Sequence, residues 1–514
     1  MKQFRRYLIL SHRYLGIPLS GVFILWFISG IVMMYTGGMP SLTEVERLQR
    51  SAPLDLTEVR VTPAQASAAA GTEALPDLQM LAGRPAYRFP GSPLTAVFAD
   101  TTEHLRSGQV DSHYIAAEFM GVDPSLVTRT GLLEETDQWT LELRDSLPLQ
   151  HFEVADGRGS QVYVSPQRGE VLLHTDMTDR LLAWAGAIPH WFYLESLREN
   201  QRLWVRAVVW TSTLACVFVV LGLLLSVTQF RRVRPFNLGK SIPYRGAHRW
   251  HYILGSVFGV LTLTWAFSGL LSMEPYRWTT AQGMQLPPNL LRGEQPALES
   301  FDRIAYPSST DLLSLQNYAD LKQVRPTTIQ GQPYFELVFA GGDSAAEDPP
   351  LQTRLVHAGS LEERTSLFDA DALQQVLETA SMGVPVEESR VLDEYDNYYY
   401  PRNNYQCYER PLPVLRVKFD DPLNTWYYVN LRDSRIVATN HRLSRTERWL
   451  FSGLHSLDFR FWYGSRPLWD IGMMTLLCGG LLLSVFGFYL GWLRIVRYVA
   501  DALRRQAPDL AERP

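Results

Sequence analysis

Four stretches of this chain, 14–43, 207–230, 250–273 and 471–493, contain no Asp, Glu, Lys or Arg. About twenty apolar residues are what a helix needs to cross a hydrocarbon core of about 30 Å. In lipid the backbone must satisfy its own hydrogen bonds, and a helix does so within one segment. The chain is therefore expected to cross a membrane four times. The first run is too long for the apolar region of a signal peptide and has no convincing small-residue cleavage pattern, so it reads as a retained helix.

Basic residues near the spans set orientation. Lys2, Arg5, Arg6 and Arg13 precede the first span. Arg231, Arg232, Arg234, Lys240, Arg245 and Arg249 join the second to the third, and Arg494, Arg497, Arg504 and Arg505 follow the fourth. These segments, and with them both termini, are expected on the cytoplasmic side of a Gram-negative inner membrane, with the two long segments in the periplasm. The reading divides the chain into a cytoplasmic N-terminus with the first helix (1–36) and a periplasmic domain (37–202) with an interfacial segment near 181–198. A second helix (203–230), a basic loop (231–249) and a third helix (250–273) follow. A second periplasmic domain (274–466), with an interfacial segment near 446–463, leads to a fourth helix (467–493) and a cytoplasmic tail (494–514). At 514 residues, 46% apolar and 20% charged, the chain has room for several domains and no disorder-type bias. Its net charge of −5 says little about partners, because the two signs are sorted by side of the membrane. The lipid bilayer is an expected partner; nucleic acid is not.

The two halves repeat. Laying "HRYLGIPLSGVFILWFISG" over "HYILGSVFGVLTLTWAFSG" without a gap matches His12, Leu15, Gly16, Trp26, Ser29 and Gly30 to His251, Leu254, Gly255, Trp265, Ser268 and Gly269. A second ungapped match places Tyr163 and Val164 over Tyr428 and Val429, Arg180 over Arg445, Trp184 over Trp449, and His190 over His455. It continues with Leu203 and Trp204 over Leu468 and Trp469, and Gly222 over Gly487. Each half thus reads helix, outer segment, helix, a parallel duplication with an even number of crossings per repeat.

Within the outer segments, "SQVYVSPQRGEVLLH" and "TWYYVNLRDSRIVAT" each alternate apolar and polar residues about a turn and predict two strands. "PAYRFPGSPLTAVFA" and "QPYFELVFAGG" predict further strands. "TPAQASAAAGT" and "DADALQQVLETAS" predict helices capped by Thr62 and Asp369. The expected fold class is an integral membrane four-helix bundle with two α+β domains from an internal duplication. The tyrosine-rich stretch "EYDNYYYPRNNYQCYERPLP" has no equivalent in the first half and reads as a loop, where binding residues often sit.

Of eleven histidines, the duplication singles out two pairs. His12 and His251 share a depth at the cytoplasmic ends of helices one and three. His190 and His455 lie in the aromatic segments "LLAWAGAIPHWFYLESL" and "RWLFSGLHSLDFRFW", which read as short helices at the outer interface. Two imidazoles on facing helices can supply both axial ligands of a b-type haem, which prefers apolar walls. Gly16, Gly30, Gly255 and Gly269 would let a flat ring or another helix approach. From residue 12 to 30 a helix rises about 27 Å, so haems at both faces would make a two-step electron path. Of three cysteines, Cys216 and Cys478 fall within spans and Cys407 stands alone outside; no C-x-x-C-H offers covalent haem attachment.

Plainer readings stand beside this one. An interfacial histidine can face headgroups or cap carbonyls, Trp26 and Trp265 can be packing residues, and the Ser-Gly pairs can be close-packing sites between helices. His248 competes with His251 for the ligand role. His151, His174 and His441 are rivals for the outer pair. Arg180 and Arg445 are candidates for haem propionate contacts, against an ordinary structural role. Asp396, Tyr398, Tyr399 and Tyr400 are candidates for a substrate loop, against a surface loop without chemistry.

The repeated H-x-x-L-G opening with its downstream Ser-Gly, "DEYDNYYYPR", "PLPVLRVKFDDPLNTWYYVNLRDSRIV" and "RWLFSGLHSLDFRFWYGSRPLWDIG" resemble the PepSY-associated transmembrane proteins over essentially the whole chain. In the first half "IPHWFYL" stands where the second has "GLHSLDF". Some members of that family are iron-regulated inner-membrane reductases of ferric siderophores. The resemblance implies PepSY-like periplasmic domains, haem b in the membrane part, two haems by the histidine count, and a ferric siderophore or other ferric chelate as substrate. Some relatives carry a fused flavodoxin or flavin reductase domain. Here the chain ends soon after the fourth helix and no G-x-G-x-x-G follows a strand, so the expected electron donor is a quinol or a separate cytoplasmic flavoprotein. The leading expectation is a haem-dependent transmembrane ferric-chelate reductase. The alternatives are a non-catalytic PepSY membrane module that binds a periplasmic peptidase or envelope partner, and an electron carrier to a periplasmic oxidoreductase.

Overall fold

Each uncharged run is the middle of a longer helix. In the computed structural model, which describes residues 2–90, 95–105, 111–235, 237–274, 283–287, 289–305, 308, 320–341, 351–401 and 409–506, the four helices are α1 (Lys2–Thr36), α2 (Gln201–Gln229), α3 (Gly246–Leu271) and α4 (Leu468–Gln506). All four are long and apolar enough to span a membrane. Their ends run into arginines, whose apolar stems can lie along the helix while the charged heads reach water. The first helix stops short of the uncharged run because Gly37 turns the backbone to φ 73°, a left-handed stop that glycine takes without a Cβ clash. The side chain of Asn200 caps α2 by accepting from the Leu203 amide at 3.1 Å.

The chain divides into two compact units. The helical unit comprises Met1–Met39, Leu181–Thr280 and Thr446–Pro514, and so includes the histidine-bearing interfacial segments along with the spans. Within it α1 packs on α2 and α4, and α3 on the same two helices, which puts α1 and α3 on a diagonal. Phe23, Phe27, Ala215, Val219, Trp265, Trp469 and Met473 fill the centre.

The sheet unit comprises Pro40–Arg180 and Ala281–Arg445. Its strands are β1 (Asp77–Leu81), β2 (Arg84–Phe89), β3 (Thr95–Phe98), β4 (Val127–Leu133), β5 (Leu149–Val154), β6 (Ser160–Ser165), β7 (Glu170–Thr175) and β8 (Leu321–Ile329). They continue with β9 (Gln332–Ala340), β10 (Leu351–His357), β11 (Glu363–Arg364), β12 (Val386–Leu392), β13 (Val414–Phe419), β14 (Trp426–Asn430) and β15 (Ile436–Asn440). Both expected two-strand pairs form, as β6 with β7 and β14 with β15. Each outer segment contributes one four-stranded antiparallel sheet in sequence order, β4-β5-β6-β7 and β12-β13-β14-β15. One helix lies on each. Ser112–Met120, capped by Asp111, buries Ile115 and Phe119 against Phe152 and Val162. Ala370–Ala380, capped by Asp369 as expected, buries Leu373 and Leu377 against Val417 and Phe419. The helix expected from "TPAQASAAAGT" is Pro63–Ala70, with Thr62 and Gln65 in a reciprocal capping box.

A third sheet crosses the duplication. Its order is β11-β10-β9-β8-β1-β2-β3, so strands of both segments join along β1 and β8. Leu78 pairs with Val324 and Gln79 with Gln323 at that seam, where the buried Gln323 amide donates to Gln79 at 3.2 Å. The α+β class expected from sequence is therefore observed, with the two segments sharing a sheet.

Asp77 begins β1 beside that seam. Burial raises its carboxyl to about 6; Arg325 and Arg88 pull it down, while Glu44 and Glu336 push it up. A carboxyl that binds its proton more tightly folded than unfolded favours the fold at low pH and loses that advantage as pH rises through the folded value. Its contribution should fall by roughly 2–3 kcal/mol from about pH 4 to about pH 6 and stay level above. Calorimetric melting of the wild type and Asp77→Asn across that window checks this: the variant should lose less stability on the alkaline side. Parallel profiles would refute it.

Candidate functional site

His12 on α1 and His251 on α3 meet across the bundle diagonal, ring centres 6.3 Å apart and planes inclined by 37°. Each leans on the second helix of its own half. The Nδ1 of His12 lies 3.2 Å from the Phe218 carbonyl of α2, and the Nδ1 of His251 lies 3.4 Å from the Leu483 carbonyl of α4. Glycine makes room for both rings: a Cβ on Gly222 would come 2.8 Å from Cε1 of His12, and one on Gly487 would come 3.3 Å from Cε1 of His251. The Phe218 ring stacks on His12 at 4.6 Å and 11°. His248 is exposed, so of the two competitors His251 is the one that faces His12.

His190 and His455 form the second pair, 6.0 Å between ring centres. His190 sits in the short helix Ala187–Trp191 and His455 in Leu454–Ser456. Both helices stop two residues after the histidine on a left-handed residue, Phe192 at φ 54° and Leu457 at φ 49°. The hydroxyl of Ser29 on α1 lies 3.0 Å from Nδ1 of His190, and that of Ser268 on α3 lies 2.9 Å from Nδ1 of His455. Indoles hold the following residue in place: Trp204 donates to the Trp191 carbonyl at 2.8 Å and Trp469 to the Ser456 carbonyl at 3.2 Å.

These partners set the tautomers. A carbonyl can only accept, so His12 and His251 carry their proton on Nδ1. Ser29 gives its single hydroxyl proton to the Leu25 carbonyl at 2.7 Å, and Ser268 gives its own to the Trp265 carbonyl at 3.1 Å. Each serine oxygen then accepts from Nδ1–H of its histidine. All four imidazoles keep Nε2 as a lone-pair donor, the arrangement by which an outer partner orients a metal-bound histidine.

The residues fit a bis-histidine haem. The ring centres of the two pairs stand 6.3 and 6.0 Å apart, a span that would let both imidazoles of a pair reach one metal ion between them. Among the described residues no three of His, Cys, Asp and Glu gather around one point. The indole N–H of Trp26 is buried without a partner among the described residues, whereas its repeat mate Trp265 donates to the His455 carbonyl at 2.8 Å.

Other candidates are placed differently. Arg180 gives its guanidinium to Thr175 and the Gly159 carbonyl. Arg445 donates to the carbonyls of Asn424 and Asn440 and lies over Trp426 at 3.9 Å. Both arginines thus anchor strand ends inside the sheet unit. His151 stacks on Tyr163, His174 lies against Phe119, and His441 receives the Ser444 amide, all within the sheet unit.

The tyrosine-rich stretch, of which 402–408 including Cys407 lie outside the described residues, does have a counterpart. Asp396 accepts the amides of Tyr398 and Tyr399 at 2.8 and 2.7 Å, Arg416 at 2.8 Å and the Tyr428 hydroxyl at 3.0 Å. In the first half Asp137 accepts the amides of Trp139 and Thr140, both at 2.9 Å, and the hydroxyl of Tyr163 at 3.1 Å. Tyr163 and Tyr428 are repeat mates, so one loop lock occurs twice. Tyr399 is fully buried and stacks on Tyr428 at 4.9 Å, leaving Tyr398 and Tyr400 partly accessible on the loop surface.

The roles of Ser29, Ser268, Gly222, Gly487, Trp204 and Trp469 went unread in the sequence, although all six are identities of the repeat. None of the curated proteins compared with the chain matches it. The model of the PepSY-associated TM region matches residues 10–494, through both histidine pairs and all four membrane helices, and the chain belongs to that family.

Proposed function

We propose that this multi-pass membrane protein is a di-haem b electron-transfer protein. It takes electrons at the His12/His251 end and delivers them at the His190/His455 end to a ferric siderophore or another ferric chelate. The observation that supports the reading is the twofold occurrence of facing imidazoles with Nδ1 engaged and Nε2 left as a donor. A haem b held by each pair would supply one-electron exchange between Fe(III) and Fe(II). The chain's own part is positional: serines and carbonyls fix the tautomers, Gly222 and Gly487 admit the rings, and Phe23, Phe27 and Trp265 keep the space between the pairs apolar. The basic ends of the spans orient the His12/His251 pair toward the cytoplasm. The substrate needs one electron and no proton or covalent bond, because hard oxygen ligands that suit Fe(III) hold Fe(II) less well; no acid or nucleophile is required of the protein.

The test is the visible spectrum of protein purified from cells with ample haem, followed by mixing of the reduced protein with oxidants. A Soret band that shifts on reduction, and re-oxidation faster by ferric siderophores than by a panel of other acceptors, are expected. A colourless, folded protein would overturn the haem reading. Equal rates for all oxidants would turn the reductase into a carrier.

A further inference from the structure

The segment 231–249, which joins α2 to α3 and includes the first turn of α3, holds six cations and no Asp or Glu. Where it meets the two helices there is a cavity of about 530 Å³, whose wall includes Val227, Phe230, Arg232, Arg249, Tyr252 and Val257. The wall is divided by chemistry. Val227 and Val257, on neighbouring helices, are 75% and 64% exposed, which on a membrane helix means they face acyl chains. Arg232 is exposed, and Arg249 spends one donor on the Gly239 carbonyl at 3.3 Å, which leaves the rest of its guanidinium for a ligand. The Tyr252 hydroxyl donates to the Ser226 carbonyl and ties α3 to α2 across the floor.

We propose that this cavity binds an anionic phospholipid, its phosphate between Arg232 and Arg249 and an acyl chain along Val227 and Val257. Charge complementarity selects the headgroup, since a basic pocket between membrane helices attracts an anionic lipid more than a zwitterionic one. A quinol is the other amphiphile of suitable size. Its oxidation to the quinone releases two protons with two electrons, and among the described residues the wall holds no carboxylate or imidazole to take them. The proposal stands apart from the haem reading, because neither histidine pair lines the cavity.

Native mass spectrometry of delipidated full-length protein in non-ionic detergent, titrated with dioleoyl-phosphatidylglycerol or dioleoyl-phosphatidylcholine, tests it. The glycerol lipid should bind first and most tightly. Arg232→Ala/Arg249→Ala should weaken it by about 30-fold and bring it close to the choline lipid, erasing the preference. The lysine pair, Arg232→Lys/Arg249→Lys, should keep most of the preference, and Arg494→Ala/Arg497→Ala should keep all of it. Circular-dichroism melting confirms that each variant is folded. Equal binding of the two lipids to the wild type, or an unchanged preference in the double alanine variant, overturns the proposal. Displacement of the glycerol lipid by inorganic phosphate alone would reassign the cavity to a free anion, and displacement by a short-chain quinol would reassign it to the donor.

Discussion

Under the proposed di-haem function, His190→Ala is expected to remove about half of the haem absorption of the purified protein, because a b-type haem has no covalent tether and depends on its axial ligands and apolar walls. His12→Ala should remove the other half, and the double variant should be colourless, with an unchanged far-ultraviolet circular dichroism spectrum. The two sites are separable because each histidine is held by its own helix partner, Phe218 for His12 and Ser29 for His190. His151→Ala, His174→Ala and His441→Ala should keep full colour, since those rings are engaged inside the sheet unit. Full absorption in His190→Ala, or loss in His174→Ala, would remove the outer pair from the role given to it.

Asp396→Ala is expected to cost about 2–4 kcal/mol of stability, seen as a lower melting temperature. Four donors lose a partner at once: two amides, the Tyr428 hydroxyl and Nη1 of Arg416, whose Nη2 keeps Glu388. Burial first, and then the Asp396 charge, hold the Tyr428 phenol well above its ordinary pKa, so it remains a donor throughout the accessible pH range. Asp137→Ala should cost a similar amount through Tyr163 and the amides of Trp139 and Thr140. Were Asp396 a substrate ligand on a free loop, the variant would reduce chelates poorly and melt like the wild type. An unchanged melting temperature would sink the loop-lock account.

Much of this is legible in the sequence. An uncharged run long enough to cross lipid has little choice but helix, so the four spans followed from composition alone. Strict alternation about polar turns marked β6, β7, β14 and β15, and Thr62 and Asp369 marked their helices, because caps and pleats are local effects. The repeat supplied the depth of both histidine pairs. What it did not disclose were contacts between distant segments. The seven-stranded sheet joins β1 to β8, strands hundreds of residues apart that pair through backbone groups carrying no sequence signature. The tyrosine-rich stretch looked unique because its insertion hides the Asp396–Tyr428 lock that Asp137 and Tyr163 repeat.

The histidines divide the same way. Sequence periodicity and duplication alone determined which four residues share two depths, because translation along a helix is set by residue number. Only the tertiary structure decided that His251 rather than His248 turns to His12, since rotation about the helix axis depends on what the neighbouring helices pack against. It also decided that Ser29 and Ser268, which looked like packing residues, orient imidazoles, because a hydroxyl becomes an acceptor for Nδ1–H only after its own proton has been given to a carbonyl one turn back.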